Sequence, residues 1–220
     1  MNKETRINNR LPLAREGFPF IGIGIGIAFL FAYLGWTSLF LLTALLTLFV
    51  IYFFRDPERR PPSMENAVVT PADGRILEIR NVDEEDSPLG RPSIKISIFM
   101  NVFNVHVNRI PIQGTIKKIA YNPGKFLSAD LDKASKLNEN NRVTLETADS
   151  KEILIIQIAG LVARRIACWI EERDSVKIGQ RFGLIRFGSR LEVFLPPESI
   201  IIGQVGQKVK AGETIIGRLA

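Results

Sequence analysis

The chain has 220 residues, a formal net charge of +6 and one histidine, with a mean hydropathy of +0.11. Its single cysteine, Cys168, excludes an intramolecular disulfide, and one cysteine with one histidine excludes a Cys/His zinc site, so no metal is expected. The length allows one ordinary domain plus an appendage, and the surplus of positive charge fits an anionic partner, either nucleic acid or an anionic lipid surface.

Residues 1–16 are a basic segment carrying Lys3, Arg6, Arg10 and Arg15. From Gly17 to Phe54, 38 consecutive residues lack any charge or histidine. A spanning helix needs about 20 apolar residues, so this run is nearly long enough for two. Turn-prone and interfacial residues gather only at Leu34-Gly35-Trp36-Thr37-Ser38, which predicts a membrane-embedded helical hairpin over 17–54. Arg55, Arg59 and Arg60 follow the run. With basic residues on both flanks, both ends face the cytoplasm, which predicts a cell-membrane protein whose remaining domain is cytoplasmic. A cleaved signal peptide has an apolar core of only about 7–15 residues and a small-residue cleavage site, which this run lacks. The glycines of "IGIGIGI", Ile21 to Ile27, do not make a nucleotide-binding loop, because Ile27 stands where the third glycine belongs. They suit close helix packing in lipid or a weak helix start.

A proline-bearing linker, 55–66, leads into a region of short apolar segments punctuated by Gly, Pro, Asn and Asp, 67–220. Within it, Ser128 to Asn141 is polar and reads as a loop or short helix. Two internal echoes appear. Pro71 to Ile79 matches Pro111 to Ile119 as P-x-x-G-x-I-x-x-I, and Val176-Lys177-Ile178-Gly179-Gln180 matches Val209-Lys210-Ala211-Gly212-Glu213. They predict a mainly β fold, a compact and partly duplicated β-sandwich resembling lipoyl- and biotinyl-type domains.

Three residues in this domain are chemically suggestive, and each has a plain structural reading. His106 lies in "FMNVFNVHVNRIP", where strand alternation would put it on one face with Met100, Val102, Asn104 and Asn108. Asp73 precedes Gly74, a strong turn signal. Ser189 follows Gly188 inside the apolar run "RFGSRLEVFLP", where a bulge in one buried strand is the simplest account. Ser189 lacks a G-x-S-x-G elbow, since Arg190 and Leu191 follow it.

Taken together, "FFRDPER", "TPADGRI", "FMNVFNVHVNRIP", "YNPGKFLSA" and "FGSR", in this order after an apolar N-terminal region, resemble the phosphatidylserine decarboxylase family, most closely its short form from bacteria and archaea. The resemblance implies that the chain cuts itself between Gly188 and Ser189 and turns Ser189 into a pyruvoyl cofactor. Ser189, activated by His106 with Asp73 orienting the ring, would attack the Gly188 carbonyl and exchange the amide for an ester. Elimination then expels a carboxylate, whose acid has a pKa near 3.5, instead of hydroxide, whose acid has one near 15.7. Hydrolysis releases ammonia and leaves the pyruvoyl group heading residues 189–220, paired with residues 1–188 as a heterodimer of the two products. The resemblance further implies a phosphatidylserine-type lipid as substrate, a membrane and not a nucleic acid as partner, and decarboxylation to phosphatidylethanolamine in phospholipid biosynthesis. Arg190 and Arg109 are the candidates for phosphate or carboxylate contact. Longer bacterial members carry a second histidine where Arg109 stands, and "LGST" where this chain has "FGSR". The archaeal ether lipid archaetidylserine is the alternative substrate. A membrane-anchored serine peptidase and a non-catalytic membrane-tethered β-sandwich adaptor are the alternative classes.

Overall fold

A computed structural model describes residues 7–9, 11–127, 137–160, 165–186 and 189–220. Two compact units divide the chain, 1–58 and 59–220.

In the first unit, a 3-10 turn at Arg15–Gly17 runs into helix α1, Phe18–Tyr33, and a tight turn leads to helix α2, Thr37–Phe53. The turn falls at Gly35, whose φ of 72° is the left-handed conformation that glycine adopts without strain. Pro19 sits in the first turn of α1, where its missing N–H costs no hydrogen bond. Of the three glycines in "IGIGIGI", Gly24 does close packing: a Cβ there would collide with Thr47 Oγ1 of α2, whereas Gly22 and Gly26 face open space. The hydroxyls of Thr43 and Thr47 donate back to the carbonyls of Leu39 and Thr43, so these two mid-helix hydroxyls are satisfied within α2. The segment Arg15–Tyr33 is long and apolar enough to cross a membrane, while α2 is slightly shorter.

In the second unit, the described residues form fourteen strands in three sheets. The strands are β1 (Ala67–Val69), β2 (Gly74–Val82), β3 (Ser93–Met100), β4 (Val107–Arg109), β5 (Gly114–Asn122), β6 (Asn140–Glu146) and β7 (Glu152–Ala159). They continue as β8 (Ile166–Cys168), β9 (Ser175–Val176), β10 (Arg181–Ile185), β11 (Ser189–Leu195), β12 (Ile200–Ile201), β13 (Lys208–Val209) and β14 (Ile215–Arg218). The long sheet has the order β13-β2-β3-β11-β7-β6-β5-β9, and the small ones are β1-β14-β12 and β4-β10-β8. Its central strands read as nearly unbroken apolar runs because both faces are covered. Ile96, Ile98, Ile155 and Leu191 are fully buried on one face, and Leu154, Ile156, Ile158 and Phe194 cluster on the other.

The sequence echoes are a structural duplication. Gly74 opens β2 and pairs with Val209 of β13; Gly114 opens β5 and pairs with Val176 of β9. Each copy carries a bulge three residues on, between Ile76 and Glu78 and between Ile116 and Lys118. Gly179 and Gly212 both have a φ of 74°. Their amides donate to the carbonyls of Ile110 and Thr70, corresponding positions of the two copies. The long sheet is therefore ordered symmetrically about the boundary between β11 and β7.

Two local expectations need correction. "FMNVFNVHVNRIP" is not one strand: β3 stops at Met100 and β4 begins at Val107. Nor is "RFGSRLEVFLP" one bulged strand. β10 ends at Ile185 in a small sheet and β11 begins at Ser189 in the long one. Phe187 and Gly188 lie outside the described residues, as does most of the polar stretch, 128–136.

Candidate active site

Ser189 is the first residue of β11, in register with Met100 of β3 and Ala159 of β7. Strand alternation turns it to the face that carries Met100, Ile98 and Leu191. It is completely buried, and its Oγ has no hydrogen-bond partner among the described residues. A buried hydroxyl left without a partner is costly; among the described residues the Ser199 hydroxyl shares this state.

His106 is also completely buried. It precedes β4, and the Ile185 amide donates to its carbonyl oxygen at 3.4 Å. One segment therefore contacts both described neighbours: Met100 lies beside Ser189 and His106 beside Ile185. Two asparagines build the turn between them. Asn101 N–H donates to Asn104 Oδ1 at 2.9 Å, Phe103 N–H to Asn101 Oδ1 at 2.9 Å, and Asn104 N–H to the Asn101 carbonyl at 3.0 Å. Side chains that mimic backbone turns in this way explain why a strand-like sequence bends. The turn presents the Asn104 carbonyl 3.0 Å from His106 Nδ1. A carbonyl can only accept, so Nδ1 is the donor in this hydrogen bond.

Asp73 is buried and belongs to a different cluster. Arg59 reaches its carboxylate at 3.1 Å, and the Ala211 N–H donates to Oδ1 at 2.8 Å. Arg59 also pairs with Glu213 at 2.9 Å. The next residue must be glycine, because a Cβ at Gly74 would collide with the Phe99 carbonyl oxygen. Arg109 is buried, its Nη1 donating to the Gly179 carbonyl at 2.9 Å and its backbone N–H to the Pro71 carbonyl. Arg190 is buried on the face opposite Ser189, with Glu192 at 3.0 Å, Glu78 at 3.4 Å and Ser97 Oγ at 3.0 Å. Lys95 joins this cluster, 2.6 Å from Glu78. Burial pushes the Glu78 carboxyl up, but Lys95, Arg80 and Arg190 together hold it below its ordinary value.

Several residues around the site escape a reading of the sequence alone. Asn108, Gln157 and Asn141 form a buried chain: Gln157 Nε2 donates to Asn108 Oδ1 at 2.8 Å, and Asn141 Nδ2 to Gln157 Oε1 at 2.9 Å. Asn138 Nδ2 donates to the carbonyls of Ala159 and Leu127, tying the "YNPGKFLSA" segment to the residue beside Ser189. Arg59 reads in the sequence only as a basic flank of the apolar run. Nothing in the order of residues indicates that it meets Asp73.

Ser189 at the head of β11 and His106 just before β4 are both completely buried inside the β domain. The model of the phosphatidylserine decarboxylase family matches residues 46–217. The chain is 55% identical over 208 residues to the phosphatidylserine decarboxylase proenzyme of Syntrophus aciditrophicus, covering 93% of this chain and 96% of that one. It is 49% identical over 210 residues to the proenzyme of the same name from Desulfotalea psychrophila, covering 96% and 98%. The chain belongs to the phosphatidylserine decarboxylase family.

Proposed function

We propose that the chain is the proenzyme of a carboxy-lyase that decarboxylates phosphatidylserine to phosphatidylethanolamine in phospholipid biosynthesis, after cutting itself between Gly188 and Ser189. Family membership over nearly the whole chain supports the reaction. The observation that carries the self-processing is the buried, unpartnered Oγ of Ser189 at the start of a central strand. Family membership speaks against the peptidase and the adaptor, and the names of both relatives favour phosphatidylserine over archaetidylserine.

In this reading, Ser189 Oγ attacks the Gly188 carbonyl and His106 Nε2 takes the hydroxyl proton. The amide C–N bond breaks as the ester C–O bond forms, and the proton passes to the freed Ser189 nitrogen. Loss of the Ser189 α-proton then expels the Gly188 carboxylate, and one water releases ammonia. The residues present fit a pyruvoyl group at 189: the position is completely buried, and the parent hydroxyl gives up no hydrogen bond among the described residues. When formed, that group supplies a ketone that binds the substrate amine and draws electrons as carbon dioxide leaves. His106 is the only histidine available to return a proton to the substrate carbon. Asp73 fixes the "TPADGRI" turn through Arg59 and the Ala211 amide, and supports the site through the turn without needing to touch the ring. Arg109 and Arg190 are read here as buried pins of the fold; their guanidinium groups are engaged by a carbonyl and by carboxylates.

The apolar hairpin anchors the protein in the cell membrane with the β domain on the cytoplasmic side, and the two products stay together as a heterodimer. Intact-mass measurement tests the reading. The active protein should contain two chains, 1–188 and 189–220, the second with a blocked N-terminus that reacts with hydroxylamine. Ser189→Ala should yield one uncut, inactive chain. A single intact chain with full activity would overturn the proposal.

A further inference from the structure

A cleft of about 480 Å³ opens on the β domain between β2, β13 and the turn after β3, lined by Arg75, Phe103, Asn104, Lys208 and Lys210 among others. Arg75 and Lys208 are register partners on adjacent strands. Like charges placed directly opposite each other destabilise a strand pair, so the placement asks for an anion between them. No ion pair to Arg75, Lys208 or Lys210 occurs among the described residues, and all three are exposed. The nearby carboxylates do not supply that anion, because Asp73 and Glu213 are both taken up by Arg59. Two exposed apolar side chains accompany these cations: Phe103, 61% exposed in the cleft wall, and Val205, 63% exposed and three positions before Lys208 in the chain. Unpaired cations interleaved with exposed apolar tips match the layering of a bilayer surface, with phosphates outside and acyl chains beneath.

We propose that this cleft binds the phosphate of anionic phospholipids and seats the β domain on an anionic bilayer surface. Arg75 and Lys208 flank the phosphate, Lys210 adds charge at the rim, and Phe103 and Val205 enter the acyl boundary. The turn that carries Phe103 is the Asn101–Asn104 turn that also positions His106, so docking brings the candidate site to the source of its lipid. The inference does not depend on the decarboxylase reading, and its test uses a lipid without an amine.

Calorimetric titration of the full chain in maltoside micelles with dihexanoyl phosphatidylglycerol should give saturable, salt-sensitive binding. Dihexanoyl phosphatidylcholine, whose choline cation offsets its phosphate, and inorganic phosphate should both bind more weakly. The double variant Lys208→Gln/Lys210→Gln should lose affinity on the order of tenfold, the double Lys→Arg variant should keep it, and Arg75→Gln, made separately, should repeat the loss. Equal binding of phosphatidylglycerol and phosphatidylcholine would overturn the proposal, as would undiminished binding by both Gln variants. Inorganic phosphate binding as tightly as the lipid would make this a free-phosphate site and overturn it too.

Discussion

At the scale of single residues, the proposed reaction gives the proton-handling role to His106 and not to a carboxylate. The Asn104 carbonyl holds Nδ1 as a donor, so in the proposed reaction Nε2 is the nitrogen that takes the proton. His106→Gln should therefore fold, since an amide N–H can replace Nδ1–H toward Asn104, yet it removes the base. General-base loss costs about 10²–10⁴-fold in rate, so a time course of chain cleavage by gel or mass spectrometry should slow by that order. Wild-type cleavage rates in the variant would remove His106 from the proposal. Part of this site could be read from residue order alone, because Ser189, His106 and Asp73 sit in recognisable short motifs. Their partners could not. Arg59 lies 14 positions from Asp73 and pairs with it only because β13 brings Ala211 and Glu213 to the same turn. Asn138, Gln157 and Asn141 look like ordinary polar residues until the strands bring them together.

At the scale of elements, the duplication was legible because a P-x-x-G-x-I repeat encodes a definite piece of backbone: a turn, a close approach and the start of a bulged strand. The glycine is needed in both copies for one reason. A Cβ at Gly74 would collide with the Phe99 carbonyl oxygen, and one at Gly114 with the Glu146 carbonyl oxygen. Backbone atoms of a central sheet cannot move aside. Gly74→Ala and Gly114→Ala should each destabilise the domain by about 1–3 kcal/mol, the usual cost of overpacking, read as a lower denaturant midpoint at unchanged slope. An unchanged midpoint in both would mean that the close approach does not constrain the fold. The breaks in strands were harder to see. At Asn101–Asn104 the turn is made by side-chain hydrogen bonds, which leave the apolar alternation of the sequence undisturbed. β10 and β11 belong to different sheets, yet the sequence between them lacks the polar cluster that usually marks a loop, because both strands are buried.

At the scale of the whole molecule, the proposed cut divides the chain without dividing the fold. Residues 189–220 contain β11, which lies between β3 and β7 in the middle of the long sheet, together with β13 on β2 and β14 on β1. The two products should co-purify in native buffer and separate only in denaturant; release on gel filtration without denaturant would contradict this topology. What secures β11 on its outer face is the buried cluster of Arg190, Glu192, Lys95 and Glu78, and its charge balance depends on pH. Glu78 has a folded pKa below its ordinary value of 4.5, because Lys95, Arg80 and Arg190 outweigh the opposing effect of burial. A carboxylate with a depressed pKa contributes stability above its unfolded pKa and loses it as pH falls through the folded value. Stability should therefore decline with acid below about pH 4.5. Once Glu78 is protonated, Arg190 and Lys95 lose one of the two carboxylates they share, keeping Glu192. Glu78→Gln removes that titration, so it should lower stability near neutral pH and flatten the acid limb of a melting-temperature profile. A variant whose profile stays parallel to the wild type down to pH 3 would show that the strand bearing Ser189 is held by packing alone.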